Sequence, residues 1–165
     1  MKRDLFFLLL GLLIGFIAGL AFYPYKAGAR DAEGKLTALD PATVAGGGCP
    51  MFLVVSPDGE SVYVTNHCET PGVSQYSRGS GGKLTPLDPA GVEAGTEPCG
   101  IAISPDSKFV YVANSGSESV SQYARGSGGK LTPLEPAEVE AGKTPYGIVV
   151  DLDSVYVTNE GEHVV

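Results

Sequence analysis

Basic residues, tryptophan, histidine and cysteine are all scarce in this sequence, and each shortage narrows the range of functions. Lysine and arginine number 11 against 19 aspartates and glutamates, which gives a net charge of −8. Residues 1–30 hold four basic residues and one acidic residue, so residues 31–165 carry −11. Because proteins bind a phosphate backbone through clustered Lys and Arg, we expect no nucleic-acid partner.

The two histidines and three cysteines show no Cys-x-x-Cys or His-x-x-x-His spacing, which are arrangements typical of zinc sites. We therefore expect neither a metal nor a cofactor. Tryptophan is absent, whereas glycine and proline number 23 and 12. This composition is typical of many short strands joined by tight turns.

The one long apolar run lies near the N-terminus, at residues 5–22 (LFFLLLGLLIGFIAGLAF). As a helix it would span about 27 Å, close to the thickness of a bilayer core. We predict a signal anchor; the alternative is a signal peptide cleaved after Ala29, although signal cores usually have only about 7–15 residues. Either way residues 31–165 form an extracytoplasmic body, in the periplasm or at the cell surface, and residues 1–30 form a separate segment.

Three glycines at intervals of four, Gly11, Gly15 and Gly19, would form one small-residue stripe on that helix. Such a stripe lets two membrane helices approach closely and dimerise. The alternative explanation is that glycine is common in membrane helices.

The remaining sequence is an internal repeat with a period near 47 residues. GKLTALDPATV begins at Gly34, GKLTPLDPAGV at Gly82 and GKLTPLEPAEV at Gly129. Each period contains four short strand candidates, which we name A to D, and this pattern predicts a β-propeller blade. We expect blades near residues 51–88, 99–136 and 146–165.

Two literal Tyr-Val-Thr-Asn motifs, at residues 63–66 and 156–159, lie in the predicted strands B, and residues 111–114 (YVAN) differ by one substitution. With the Ser-Pro-Asp-Gly turn at 56–59, they resemble the YVTN-repeat β-propellers, especially the seven-bladed lactonase-like family that includes 6-phosphogluconolactonase-like hydrolases. The resemblance implies an all-β propeller fold. Because the motifs are core and turn residues, they say little about activity.

The chain departs from that family in length. It supplies strand D, two complete sets of A to D, and then A and B, or about 2.9 blades, whereas closed propellers have about 4–8. An arc of this kind would leave two apolar blade faces uncovered. We expect either a truncated fragment, with the missing blades encoded elsewhere, or homo-oligomeric assembly, in which two arcs would make six blades.

Strand direction places the D-to-A and B-to-C loops on one rim, and this rim varies between repeats. We expect any protein or small-molecule ligand there, because variable loops on a rigid scaffold usually carry function. The candidate rim residues are Asn66, His67, Glu69, Asn114 and Asn159. For the three asparagines in this set, the alternative role is to cap the ends of strands B.

No catalytic motif stands out. His67 and Cys68 are adjacent, and adjacent strand residues point to opposite faces, so they should not form a dyad. The only acid–base candidates are Glu69, Glu160 and His163. We predict a membrane-anchored binding module that is inactive by itself; the alternative is a sugar-lactone hydrolase once the ring is complete.

Cys49 and Cys68 have a better explanation than catalysis. In the hairpin whose turn centres between Asp58 and Gly59, directly paired residues have numbers that sum to 117, and the two cysteines satisfy this rule. Opposed strand positions lie about 4.5–5.5 Å apart, which is within disulfide range. We therefore predict a Cys49–Cys68 disulfide, with Cys99 as a spare, buried apolar residue.

Overall fold

The computed structural model describes residues 25–68 and 72–161. The predicted helix at 5–22, the glycine stripe (Gly11, Gly15 and Gly19), Glu69 and His163 lie outside these residues. Within the described part of the chain, no helix is long and apolar enough to cross a membrane.

The described residues form four antiparallel sheets. The first is an N-terminal half-blade of two strands, β1 (Tyr25–Arg30) and β2 (Leu36–Val44). Blade 1 contains β3 (Pro50–Val55), β4 (Ser61–Asn66), β5 (Val73–Arg78) and β6 (Leu84–Val92). Blade 2 contains β7 (Pro98–Ile103), β8 (Phe109–Asn114), β9 (Ser119–Arg125) and β10 (Leu131–Glu140). A C-terminal half-blade of β11 (Pro145–Val150) and β12 (Val155–Asn159) follows.

The A, B, C, D strand order of each complete blade is confirmed, with sequential strands as hydrogen-bonded neighbours. Two short 3₁₀ turns, Ser80–Gly82 and Ser127–Gly129, join strands C and D. Strands D are longer than predicted: β6 and β10 run on to Val92 and Glu140 beyond a register shift. This extension carries strand D up to the variable rim.

Strand β1 was not predicted, since residues 25–30 were grouped with the N-terminal segment. Arg30 of β1 occupies the repeat position of Arg78 and Arg125, and β1 pairs with β2 as a strand C pairs with a strand D. The described sheet structure therefore begins at Tyr25 rather than at residue 31.

The N-terminal half-blade sits against blade 1 as blade 1 sits against blade 2. The Tyr76 hydroxyl donates to the carbonyl of Ala45 at 2.7 Å, and the equivalent Tyr123 hydroxyl donates to the carbonyl of Glu93 at 2.5 Å. Val44 also packs against the apolar face of blade 1. The half-blade thus represents the outer two strands of a preceding blade.

Strands A and B of blade 2 are buried on both sides because this blade is packed between blade 1 and the C-terminal half-blade. The largest buried cluster fills the space between blades 1 and 2; it contains Tyr63, Val73, Ile101, Ile103, Val110, Val112, Tyr123 and Leu131. A second cluster joins blade 2 to the C-terminal half-blade through Ala102, Ala113, Val120 and Ile148.

Apolar side chains are exposed on both outer ends of this arc, as the sequence predicted. Leu53 of blade 1 is 61% exposed on one end, and Val149 and Tyr156 of the C-terminal half-blade are 63% and 52% exposed on the other. In a propeller, these surfaces are covered by the next blade.

A polar network on the rim opposite the variable loops, here called the inter-blade lock, ties the outer strands of blade 2 to blade 1. The Arg125 guanidinium donates from Nε to the Tyr63 hydroxyl at 3.0 Å and pairs with the Asp58 carboxylate at 2.8 Å. Tyr63 in turn donates to the carbonyl of Gly129 at 2.6 Å. The arginine, the tyrosine and the glycine of this lock recur at the equivalent positions of the other repeats, whereas Asp58 has an equivalent only in blade 2, at Asp106.

A backbone contact completes the lock: the amide N–H of Leu131 donates to the Gln75 side-chain oxygen at 2.9 Å. The pKa of Asp58 lies below its ordinary value, mainly because the Ser56 hydroxyl donates to its carboxylate, with help from Arg125. Burial raises the pKa of the Tyr63 hydroxyl. Blade 2 supplies Arg125, Gly129 and Leu131 to the lock, and blade 1 supplies Asp58, Tyr63 and Gln75.

Candidate functional site

A cleft of about 450 Å³ opens on the variable rim between blades 1 and 2. It is built from the B-to-C loops of both blades and from the D-to-A loop between them, which supports the predicted grouping of these loops on one rim. The residues that line it are Asn66, His67, Cys68, Gly72, Ala94, Gly95, Thr96, Pro98, Ser117 and Glu138.

The cleft rests on two buried asparagines at the ends of the B strands, Asn66 and Asn114. The Asn114 amide donates to the Ser119 and Ser121 hydroxyls at 3.0 and 2.9 Å, and the Asn66 amide donates to Ser74 at 2.9 Å. Both asparagines therefore hold strand C against strand B, as the capping alternative proposed. The Asn114 side-chain oxygen has no hydrogen-bond partner among the described residues.

Glycine is required next to these asparagines. A Cβ atom at Gly95 would lie 2.6 Å from the Asn114 amide nitrogen, and one at Gly47 would lie 2.5 Å from the Asn66 side-chain carbon. This pairing was not predicted, although a glycine 19 residues before each of the two asparagines is a signal that could have revealed it.

Glu138 brings a carboxylate to the cleft and was not a sequence candidate, because strand D was predicted to end near residue 136. It lies on the extended part of β10, and its carboxylate accepts a 2.5 Å hydrogen bond from Ser119. The tenth position of the GKLT repeat is Thr43, Gly91 and then Glu138. It is the one position of this eleven-residue repeat at which all three copies differ, and this variation could have marked it.

His67 contacts a cysteine, but not its sequence neighbour. Its ring Nδ1 lies 3.7 Å from the sulfur of Cys99, a residue of blade 2 that is 1% exposed. The Cys99 thiol also lies 3.5 Å from the Glu97 carbonyl and from the Ser115 hydroxyl. Cys99 is buried as predicted, yet it packs among polar groups under the edge of the cleft.

The Cys49–Cys68 disulfide is present, with the two Cα atoms 5.3 Å apart. The predicted register holds at Val54 and Tyr63, but it shifts by one residue at Pro50, which pairs with Asn66. The bond joins the D-to-A and B-to-C loops of blade 1 and so fixes the backbone that carries His67. The equivalent positions in blade 2 are Glu97 and Gly116, which are also in proximity.

The other predicted site residues lie elsewhere. Glu160 is exposed on the C-terminal half-blade. Asn159 lines a separate cavity of about 270 Å³, and its buried side-chain oxygen has no hydrogen-bond partner in the described part of the chain. Among residues 25–68 and 72–161, no three His, Cys, Asp or Glu side chains are grouped as a metal site would require.

The cleft therefore offers an imidazole, hydroxyls and one carboxylate around a space that fits a small molecule. These groups can exchange hydrogen bonds with a polar ligand that carries several hydroxyl groups. A carboxylate and an imidazole that line the same cleft are also groups that can bind and orient a water molecule.

Comparison with known proteins places this geometry in context. A family model described as a lactonase, a seven-bladed β-propeller, matches residues 23–161. No curated protein matches the chain.

Several solved structures share the fold. The chain is 26% identical to a periplasmic gluconolactonase of Pseudomonas aeruginosa, with a TM-score of 0.57 over 79% of this chain and 35% of that protein. A 6-phosphogluconolactonase candidate from Bacteroides fragilis gives 22% identity and a TM-score of 0.64, over 79% of this chain and 35% of the other.

A protein of unknown function from Desulfotomaculum acetoxidans gives 22% identity and a TM-score of 0.68, over 84% of this chain and 43% of that protein. The chain thus spans less than half the length of each of these three structures.

Proposed function

Because the chain belongs to the lactonase family of seven-bladed β-propellers, we propose that it is a binding module whose rim cleft holds a small polyhydroxylated ligand of the sugar-lactone class. The observation that carries the proposal is the cleft of about 450 Å³, which opens on the variable rim and is lined by His67, Thr96, Ser117 and Glu138.

The expected affinity is weak. A six-carbon sugar lactone has about 12 non-hydrogen atoms, and about 0.3 kcal/mol per atom gives about 3.6 kcal/mol. This free energy corresponds to a dissociation constant in the low millimolar range. Weak binding of this kind is what we expect of a cleft that is open to solvent and rich in polar groups.

Isothermal titration calorimetry with freshly dissolved glucono-1,5-lactone and with gluconate tests the proposal. We expect binding of the lactone by the full chain in mild detergent, and a loss of about tenfold for Glu138→Gln if the carboxylate accepts ligand hydroxyls. Glu135→Gln, on the same strand but outside the cleft, is the matched control. Equal affinities for both variants would contradict the proposal.

A second candidate function is lactone hydrolysis by a complete ring. The family match favours it, and Glu138 with His67 could activate a water molecule. We propose that this chain alone does not accelerate hydrolysis, because less than half of a matched ring is present. A pH-indicator assay of gluconolactone hydrolysis measures this: rates equal to the spontaneous rate are expected, and a rate that falls with Glu138→Gln would refute inactivity.

The proposed location is extracytoplasmic, with the N-terminal segment as a membrane anchor. The Cys49–Cys68 disulfide supports an oxidising compartment, and the apolar run at residues 5–22 supports an anchor. Carbonate extraction of membranes and protease accessibility in intact cells would test both points. Release of the chain by carbonate would contradict the membrane anchor. Protection from external protease, in cells whose outer layer the protease can cross, would contradict the extracytoplasmic location.

A further inference from the structure

A chain of hydrogen bonds in the wall of the rim cleft ends on the carboxylate of Glu138. The backbone amide of Thr96 donates to the Ser117 hydroxyl at 3.1 Å. The Ser117 and Ser119 hydroxyls lie 2.9 Å apart, and Ser119 donates to Glu138 Oε2 at 2.5 Å. Because a hydroxyl carries a single hydrogen, Ser119 has none left for Ser117, so Ser117 is the donor between the two. All donors of the chain therefore point towards Glu138.

This arrangement holds Glu138 as a hydrogen-bond acceptor at a fixed place. Ser119 is 7% exposed and also accepts from the Asn114 amide at 3.0 Å, so its hydroxyl is held on both sides. The second oxygen of Glu138, Oε1, has no hydrogen-bond partner among the described residues, and neither salt bridge found there includes Glu138. Glu138 thus presents an unpaired carboxylate oxygen at the wall of the cleft.

The hydrogen-bonded pair of Ser119 and Glu138 occurs in blade 2 and not in blade 1. Gly72 and Gly91 stand at the two equivalent positions of blade 1, so both partners are replaced by glycine there. Because blade 1 forms the same four strands without this pair, the architecture of a blade does not require it. The pair is therefore a specific feature of the cleft wall.

The surroundings of the cleft carry no positive charge that could neutralise Glu138. The residues that line the cleft include no lysine or arginine. The two nearby loops at 93–97 and 115–118 also contain no basic residue, and they add three acidic residues, Glu93, Glu97 and Glu118. A cleft lined by one sign of charge concentrates ligands of the opposite sign and repels ligands of its own sign.

We propose that the rim cleft selects a positively charged amino sugar over neutral sugars and sugar phosphates of similar size. The ammonium group of the ligand pairs with Oε1 of Glu138, and Ser119 is the positioning residue that holds this carboxylate at the wall. A sugar phosphate would bring a second negative charge beside Glu138. The inference rests on the proposed function in taking the cleft as the ligand site, and it adds the charge of the ligand.

Three sugars that share one ring and differ in charge test the selectivity. Isothermal titration calorimetry of the full chain in mild detergent compares glucosamine, glucose and glucose 6-phosphate near pH 7, where most of the glucosamine amine is protonated. Because a solvent-exposed ion pair contributes little, we expect glucosamine to bind only about three- to fivefold more tightly than glucose. Glucose 6-phosphate should bind more weakly than glucose.

Two variants identify the carboxylate responsible. Glu138→Gln keeps the shape of the side chain and removes its charge, so glucosamine and glucose should bind it equally. Glu135→Gln, on the same strand but outside the cleft, is the matched control and should keep the preference of the wild type. If Glu138→Gln keeps that preference too, Glu138 does not select the ligand and the proposal is wrong.

The role of Ser119 is tested by removing and restoring its hydroxyl. Ser119→Ala should reduce the preference for glucosamine, whereas Ser119→Thr, which keeps a hydroxyl, should retain it. Circular dichroism shows whether each variant is folded. Raising the salt concentration to about 1 M should also reduce the preference, because salt screens exposed charges. A preference that neither salt nor Ser119→Ala alters in folded protein would contradict an electrostatic origin.

Glucono-1,5-lactone, titrated in parallel, separates this inference from the proposed function. Binding of the lactone with equal affinities for glucosamine and glucose would overturn the charge selectivity and leave the lactone site standing. Binding of glucosamine in preference to glucose, without binding of the lactone, would support the selectivity and refute the lactone class. Absence of binding for all four compounds would refute both.

Discussion

Replacing Arg125 with alanine should cost about 3 kcal/mol of folding free energy, because this side chain joins blade 2 to blade 1. It is 9% exposed and donates to the Tyr63 and Ser61 hydroxyls, both at 3.0 Å. Hydrogen bonds from a charged group contribute about 1.5–3 kcal/mol each. We take the low end, because Tyr63 keeps its bond to Gly129 and is not left unsatisfied.

The ion pair with Asp58 adds little to this figure. The carboxylate is 33% exposed, and solvent-exposed pairs contribute about 0–1 kcal/mol. Urea unfolding of the full chain, followed by far-UV circular dichroism, measures the change. Tryptophan fluorescence is not an option, since the chain has no tryptophan.

Lys130→Ala is the matched control, because Lys130 is exposed in the turn that begins strand D and is not part of the lock. Its expected cost is within about 0.5 kcal/mol. If Arg125→Ala and Lys130→Ala unfold at the same urea concentration, the inter-blade lock does not stabilise the fold.

Three further predictions follow from individual contacts. Cys68→Ser should lose about 3 kcal/mol, the value expected for a cross-link that closes a loop of about 20 residues, and the denatured, unreduced wild type should show one free thiol; three would contradict the disulfide. Burial raises the pKa of Tyr123 to about 12, so its contribution to stability is constant below pH 10, the ordinary tyrosine pKa, and is lost as pH rises towards 12. Wild type should therefore lose about 2–3 kcal/mol more of its unfolding free energy than Tyr123→Phe as the pH rises from 10 to 12. An equal loss in both proteins would contradict the raised pKa. Gly95→Ala should destabilise the chain by about 1–3 kcal/mol, because its Cβ would overlap the Asn114 side chain; a thermal midpoint equal to that of wild type would mean that the loop adjusts without cost.

Much of the fold was predictable because the same pattern of strands and turns occurs three times in the sequence. The four strands of a blade, the pairing of Val54 with Tyr63 and the Cys49–Cys68 disulfide all followed from period and alternation. Strand β1 did not, because residues 25–30 keep only Arg30 of the strand C pattern and follow an apolar run that suggested a separate segment.

For the cleft, only the rim on which it lies was predictable from the sequence. Its loops were identified by their variation, but Glu138 and Cys99 were missed as neighbours of the site. Glu138 reaches the rim because strand D extends past a register shift, which a repeat motif does not reveal. The proximity of Cys99 to His67 depends on how two blades pack, and residue spacing within one blade carries no information about it.

Methyl-detected NMR of the full chain during titration with glucono-1,5-lactone tests the central claim of the rim cleft most directly. Ala94 and Thr96 line the cleft, whereas Val149 lies outside it, exposed on the C-terminal half-blade. Binding in the cleft predicts shifts of the Ala94 and Thr96 methyl signals that saturate in the millimolar range, with Val149 unchanged. Shifts confined to Val149 and its neighbours, or none at any concentration, would contradict the account.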